Sequence, residues 1–151
     1  MTLLWLDDIR DPASTDVDWL GMYSPIGKYE AYVVWIKSYD EFVRFILSNG
    51  LPSGICFDYD LSKAPNKISG QEGGRGKGTV KTGLDCAKWL VEYCNEQGID
   101  IPPYGIQTSN LEGKMKIETI LNQYHSRYCS LYENQPIQWF DESKIYRKSK
   151  D

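Results

Sequence analysis

Aspartates that follow two short apolar segments are the residues of this sequence best suited to chemistry. Asp7 and Asp8 close the first segment, and Asp58 and Asp60 close the second. Carboxylates held close together repel one another unless a cation or protons intervene. A hard divalent ion such as Mg²⁺ prefers carboxylate oxygen as its ligand. The four aspartates therefore predict an acidic, metal-binding crevice, with Mg²⁺ as the expected ion and Mn²⁺ as the alternative.

A third apolar segment ends in side chains suited to holding phosphoryl oxygens. Thr108, Ser109 and Asn110 offer two hydroxyls and an amide directly after it. A cation and such donors stabilise charge that develops on phosphorus, which is the main requirement of phosphoryl chemistry. The alternative is that the aspartates only begin solvated loops or cap helices, as aspartate often does. Polar groups after three segments favour the phosphate site.

The elements that must position these residues alternate between strand and helix. Strands are predicted at 3–6, 31–36, 55–57 and 103–107, with a further one at 136–139. A short helical turn is predicted within 9–29, and longer helices after Ser38, after Thr82 and over 112–124. The alternation predicts a parallel sheet with helices on both faces. Because ligands of such sheets bind beyond the carboxyl ends of the strands, the three polar groups should meet at one edge.

Length and composition are those of one globular domain over residues 1–151. The chain is 41% hydrophobic and 25% charged, which is ordinary usage, and it lacks an apolar run of the ~20 residues that span a bilayer. The start does not resemble a signal peptide, so we expect a cytoplasmic protein without membrane contact. A glycine- and lysine-rich loop is predicted at 62–81 and a polar tail at 141–151. The oligomeric state is not predicted.

The remaining candidate ligands are cysteines, one histidine and one arginine. The four cysteines lack a Cys-x-x-Cys spacing and are predicted to be buried thiols rather than disulfides or zinc ligands. His125 is predicted to be a surface residue near the end of the last helix. Arg10 follows the first acids and could clamp a phosphate or pair with an acidic neighbour. The loop at 62–81 could close over an anion or remain a solvated loop.

The three polar motifs resemble those of receiver domains, the phosphoacceptor modules of two-component signalling. In that family two acids end the first strand, the phosphorylated aspartate ends the third, and a threonine or serine ends the fourth. These positions correspond to Asp7 and Asp8, to Asp58, and to Thr108. The lysine that the family carries after its fifth strand has no counterpart around residues 137–140.

A closer resemblance is to the cyclic-phosphate processing receiver-like domains of bacteria and phages. Their Leu-Asp-Asp-x-Arg-x-Pro motif resembles residues 6–12. Their second motif resembles residues 58–61 followed by Thr82-Gly83, with Tyr59 in place of a histidine. Their third keeps its hydroxyl, asparagine and glycine here, with Gln107 in place of a histidine.

The resemblance covers most of residues 3–124 and implies the fold, the site and the function. The implied fold is a three-layer, receiver-like (flavodoxin-like) α/β sandwich with strand order 2-1-3-4. The implied metal ligands are Asp7, Asp8 and Asp58. The implied catalytic residues are Asp58, Tyr59 and Asp60, and the implied phosphate-binding residues are Arg10, Thr82, Gln107, Thr108, Ser109 and Asn110.

The implied function is binding and metal-assisted processing of a cyclic phosphate on RNA or a small nucleotide. Whether the chain is an enzyme stays open at this point, with a cyclic phosphodiesterase-type hydrolase favoured. Two alternatives remain, of which the first is favoured by the replacement of both family histidines. One is a non-catalytic module that binds a nucleotide or a protein partner, such as a phage-type inhibitor or sequestering protein. The other is a phosphorylatable receiver with Asp58 as the acceptor.

Overall fold

The computed structural model describes residues 1–62 and 80–133, which form a parallel sheet with helices packed on it. The strands are β1 (Thr2–Leu6), β2 (Tyr32–Ile36), β3 (Gly54–Phe57) and β4 (Tyr104–Ile106). The helices are α1 (Trp19–Tyr23), α2 (Tyr39–Asn49), α3 (Gly83–Gln97) and α4 (Leu111–Glu133). The further strand at 136–139, the tail at 141–151 and most of the loop at 62–81 lie outside the described residues.

The four strands are ordered β2-β1-β3-β4 and every pairing is parallel. This order confirms the predicted 2-1-3-4 receiver-like α/β fold. The central strand β1 pairs with β2 through five residues and with β3 through three. Because the pairings are parallel, the carboxyl ends of all four strands lie at the same edge of the sheet.

Both faces of the sheet are buried, which explains why β1 is apolar along its whole length. Leu4 and Leu6 of β1 belong to the larger core cluster, which α2, α3 and α4 cover. Leu3 and Trp5 point to the other face, where they pack with Cys56 and with residues of α1. The sheet therefore lies between two layers. Within the part of the chain that is described, no helix is long and apolar enough to cross a membrane.

Side-chain caps begin the helices that leave the site edge. The Ser38 hydroxyl accepts from the Glu41 N–H at 3.2 Å and starts α2. The Thr82 hydroxyl caps α3 while the Asp85 carboxylate accepts from the Thr82 N–H at 2.8 Å, which completes a capping box. Asn110 precedes α4, and its side-chain oxygen accepts from the Gly113 N–H at 2.9 Å. These caps fix where the loops between strand and helix end.

The last helix differs from the prediction in its length, in the place of His125 and in the burial of Cys129. The helix α4 was expected to end near residue 124, but it continues to Glu133, because residues 125–133 contain no glycine or proline that would stop it. His125 therefore lies within the helix rather than near its end. The predicted burial of the cysteines holds for three of them, whereas Cys129 is only partly buried on α4.

A substitution at Gly83 can test how closely α3 approaches Asp58, the residue that follows β3. A Cβ at this position would overlap the Asp58 carbonyl oxygen. We expect Gly83→Ala to lower the free energy of unfolding by about 2 kcal/mol or more, because backbone must move to admit the methyl group. Chemical denaturation measures this change in the free energy of unfolding. Glu92→Ala, an exposed change in the same helix, is the control, and equal stability of the two variants would contradict the close approach.

Candidate metal and phosphate site

The site begins where the sheet ladder ends. The Asp58 N–H donates to the Leu6 carbonyl at 3.0 Å, and the Gln107 N–H donates to the Phe57 carbonyl at 3.0 Å. These bonds continue the ladder by one residue beyond β1, β3 and β4. The first polar side chains after three strands are thereby brought to one edge, as the sequence predicted.

Three aspartates converge at this edge and are enclosed by protein. Asp7, Asp8 and Asp58 are 0%, 6% and 3% exposed, and one carboxylate oxygen from each lies within 4.8 Å of the other two. Asp60, which we expected in the same crevice, is exposed and lies outside this group. The acidic centre is therefore a set of three carboxylates with Asp60 further out.

Hydrogen bonds to both of its oxygens fix the Asp7 carboxylate. Its Oδ1 accepts from the backbone N–H groups of Ile9 at 3.0 Å and Arg10 at 2.9 Å. Its Oδ2 accepts from Arg10 Nη1 and Gln107 Nε2, each at 3.2 Å. The backbone bonds close a tight turn directly after β1. This turn is the local reason why an aspartate and an arginine three residues later share the site.

Asp58 has a strongly perturbed acidity. Burial, followed by the negative charge of Asp7, raises the pKa of its carboxyl to about 7. A hydrogen bond from Thr108, the charge of Arg10 and the Tyr59 N–H at 2.8 Å act in the opposite direction. The donors present thus do not offset the cost of three enclosed carboxylates, so a proton or a cation would stabilise the site. An all-oxygen donor set of this kind suits Mg²⁺ or Mn²⁺.

Gln107 lies behind the aspartates and is buried. Its Nε2 donates to the Leu6 carbonyl at 3.0 Å and to Asp7 at 3.2 Å. Since both neighbours are acceptors, they determine which end of the amide carries the nitrogen. The Oε1 atom is buried and has no hydrogen-bond partner among the described residues. The sequence assigned Gln107 to phosphate binding, and the structure places its nitrogen on an aspartate.

Arg10 supplies a fixed positive charge beside the acids. Its Nη1 lies 3.2 Å from Asp7 and 3.6 Å from Asp58, and its guanidinium lies over the Trp19 ring at 5.4 Å from the centroid. The Trp5 indole N–H donates to the Arg10 carbonyl at 2.9 Å. Sequence reasoning missed both aromatic contacts, because nothing in the spacing of the sequence links either indole to the arginine.

The other predicted site residues have structural contacts of their own. Thr82 caps α3 and Asn110 caps α4. Tyr59 is half-buried, and its ring lies against Gly113. Ser109 is exposed next to the buried Thr108. The structure therefore brings together the three aspartates, Arg10, Gln107 and Thr108, while the remaining candidates lie around them as caps or exposed groups.

A comparison with known protein families gives one finding about this chain. The model of the family described as "Cyclic-phosphate processing Receiver domain" matches residues 2–123, which include all the aspartates of the site. No curated protein and no solved structure gives a significant match. The matched segment extends from β1 into the middle of α4.

The pKa of Asp58 predicts how the stability of the metal-free protein depends on pH. A folded-state pKa of about 7, raised from 3.8, means that protonated Asp58 stabilises the fold below about pH 4 and that this contribution is lost as pH rises through 7. Asp58→Asn removes the charge. We expect its advantage in unfolding free energy over wild type to grow by about 2 kcal/mol between about pH 5 and pH 8.

Denaturant unfolding in the presence of a chelator measures this difference. The control is Asp16→Asn, which removes an exposed carboxylate outside the site and should track the wild type at every pH. A difference in unfolding free energy between Asp58→Asn and wild type that does not change with pH would contradict the claim that the Asp58 charge destabilises the fold.

Proposed function

This chain belongs to the cyclic-phosphate processing receiver family, and from this premise we propose that its aspartate site binds and processes a cyclic phosphate with a divalent cation. The substrate class that we propose is a cyclic phosphate on an RNA end or a small nucleotide. The observation that carries the proposal is the enclosure of three carboxylates beside one arginine and one threonine. Acids alone would repel a phosphate, whereas acids that hold a cation, flanked by Arg10 and Thr108, suit one.

The proposed metal ligands are Asp7, Asp8 and Asp58. A bound divalent cation supplies positive charge that neutralises the acids and polarises phosphoryl oxygens. Asp7 is held ready for this role because its oxygens are already oriented by the turn after β1 and by Gln107. The buried Oε1 of Gln107 accepts hydrogen bonds only, so it suits a water or hydroxyl donor at the site.

The other residues of the site bind and orient the phosphate. The Arg10 side chain is 16% exposed beside the acids, and its planar guanidinium can donate to two phosphoryl oxygens. The hydroxyl of Thr108 and the exposed Ser109 are further donors at the β4 end. Opening a cyclic phosphate requires water to attack phosphorus, one P–O bond to break and the departing oxygen to gain a proton. Tyr59 is the candidate proton donor, whereas Asp60, which is exposed outside the three-carboxylate group, is assigned no direct contact with the attacking water.

The direct test is hydrolysis of cyclic phosphates by the purified chain with Mg²⁺ or Mn²⁺. Substrates are an RNA oligonucleotide that ends in a 2′,3′-cyclic phosphate and small cyclic nucleotides, with product formation followed by chromatography. We expect Asp58→Asn to lower the rate by about 100-fold or more, because it removes one ligand charge from the cation and the phosphate.

The matched control for this assay is Asp16→Asn, which makes the same chemical change at an exposed position and should keep the wild-type rate. Addition of a chelator should abolish the reaction of both proteins. Equal rates for wild type and Asp58→Asn would rule out the enzymatic proposal.

A second candidate, a binding module without turnover, is favoured by the position of Gln107. This side chain stands where the family has a histidine, it does not titrate, and its nitrogen is committed to Asp7. Such a module should gain thermal stability from a cyclic nucleotide and Mg²⁺ while releasing no product. Saturable stabilisation that Asp58→Asn abolishes, together with an absent reaction, would select this candidate over the enzyme.

Arg10 should affect the cation and the phosphate in opposite directions. Its guanidinium repels a cation at the acids but attracts an anion, so we expect Arg10→Met to tighten Mg²⁺ binding and to weaken cyclic-nucleotide binding, each by about tenfold. Titration calorimetry with each ligand measures both effects. The control is Lys28→Met, which removes a cation that pairs with Asp18, the residue that caps α1. Parallel weakening of both ligands would contradict the assigned role.

A further inference from the structure

A second group of metal-ligating side chains lies away from the aspartate site. Asp100 lies in the connection between α3 and β4, on the amino side of β4, whereas the three-aspartate site lies beyond the carboxyl ends of the strands. His125 and Cys129 lie four residues apart on α4 and so share one helix face. We name these three residues the Asp–His–Cys cluster.

The distances within the cluster are those of donors that can share one ion. His125 Nδ1 lies 2.7 Å from Asp100 Oδ2 and 4.0 Å from Cys129 Sγ, so this one nitrogen is near both other donors. One ligand atom from each residue lies within 4.8 Å of the others. Donors on a tetrahedral zinc, with bonds of about 2.0 Å to nitrogen and 2.3 Å to sulfur, are roughly 3.3 to 3.7 Å apart. Small side-chain rotations are therefore enough to seat an ion.

The backbone that carries Asp100 is fixed against α4. The Tyr124 hydroxyl donates to the Ile99 carbonyl at 2.6 Å, which ties the connection to the residue before His125. Gly98 ends α3 in the left-handed conformation with φ of 72°, and Asp100 Oδ1 accepts from the Ile101 N–H at 2.8 Å. The backbone that carries Asp100 is therefore held in place beside α4, which lowers the entropic cost of bringing the three side chains together on an ion.

The donor set also selects the ion. Nitrogen and sulfur ligands suit borderline metals such as Zn²⁺, whereas the all-oxygen aspartate site suits Mg²⁺. The cluster is open to solvent, since the side chains of His125 and Asp100 are 54% and 27% exposed. We propose that Asp100, His125 and Cys129 form a second metal site, selective for Zn²⁺, in which a fourth position is left for water or another ligand.

The test uses Zn²⁺ and Co²⁺ alone as probes of the reduced full chain. Calorimetry should find one Zn²⁺ bound per chain of Asp58→Asn, in which the aspartate site is impaired, and Co²⁺ should give the near-ultraviolet absorption of a thiolate bound to cobalt. We expect Cys129→Ser to abolish that absorption, and His125→Gln and Asp100→Asn each to weaken Zn²⁺ binding by about tenfold or more. A readout by metal alone keeps this site separate from any activity of the aspartate site.

Two controls locate the binding. Ser126→Ala changes an exposed neighbour on the same helix and should keep wild-type Zn²⁺ binding. Asp58→Asn should keep it too, because it alters only the aspartate site. The proposal is overturned if no stoichiometric Zn²⁺ binds, if His125→Gln leaves both affinity and absorption unchanged so that the thiol binds alone, or if Asp58→Asn removes the binding.

Discussion

Three carboxylates enclosed at one edge of a parallel sheet impose the constraint on which the rest of this structure depends. Parallel pairing of β1 and β3 forces the first residue after each strand into the same space, and both of these residues are aspartates. Burial and the negative charge of Asp7 disfavour the charged form of Asp58, which is why the pKa of its carboxyl is raised to about 7. The polar groups around Asp58 therefore determine how far the ionised form of its carboxyl is stabilised.

The surrounding chain supplies hydrogen-bond donors and positive charge unevenly to Asp7 and Asp58. Backbone N–H groups and Arg10 satisfy Asp7, whereas Asp58 receives weaker help at 3.6 Å from the same arginine. Arg10 also lies over Trp19, a cation–π contact that helps to hold the guanidinium in this position. An arginine that is tethered beside an incompletely neutralised acid group leaves room for a cation and remains available to an anion. This combination is what recognition of a metal-bound phosphate requires.

The convergence of the aspartates could be predicted because it follows from short-range patterns. An apolar segment that ends in an acid predicts a strand end, and the strand ends of a parallel sheet share one edge. The positions of Asp60 and Gln107 follow from long-range contacts that no local pattern encodes. The Tyr59 ring lies against Gly113 of α4, and Asp60, the next residue, is exposed. The bond from Gln107 to Asp7 joins residues 100 positions apart.

The predicted end of α4 near residue 124 was too early, and for this reason the sequence did not predict the Asp–His–Cys cluster. The apolar spacing of Leu121 and Tyr124 continues through Tyr128 and Leu131, and a helix continues until a residue or a contact stops it. Residues 125–133 contain no such breaker, and His125 and Cys129 therefore meet on one face beside Asp100.

The two donor sets on this chain then differ in kind. Oxygen donors lie beyond the carboxyl ends of the strands, and mixed nitrogen, sulfur and oxygen donors lie on the amino side of β4. Such a difference would let one small protein discriminate between hard and borderline metal ions at separate places.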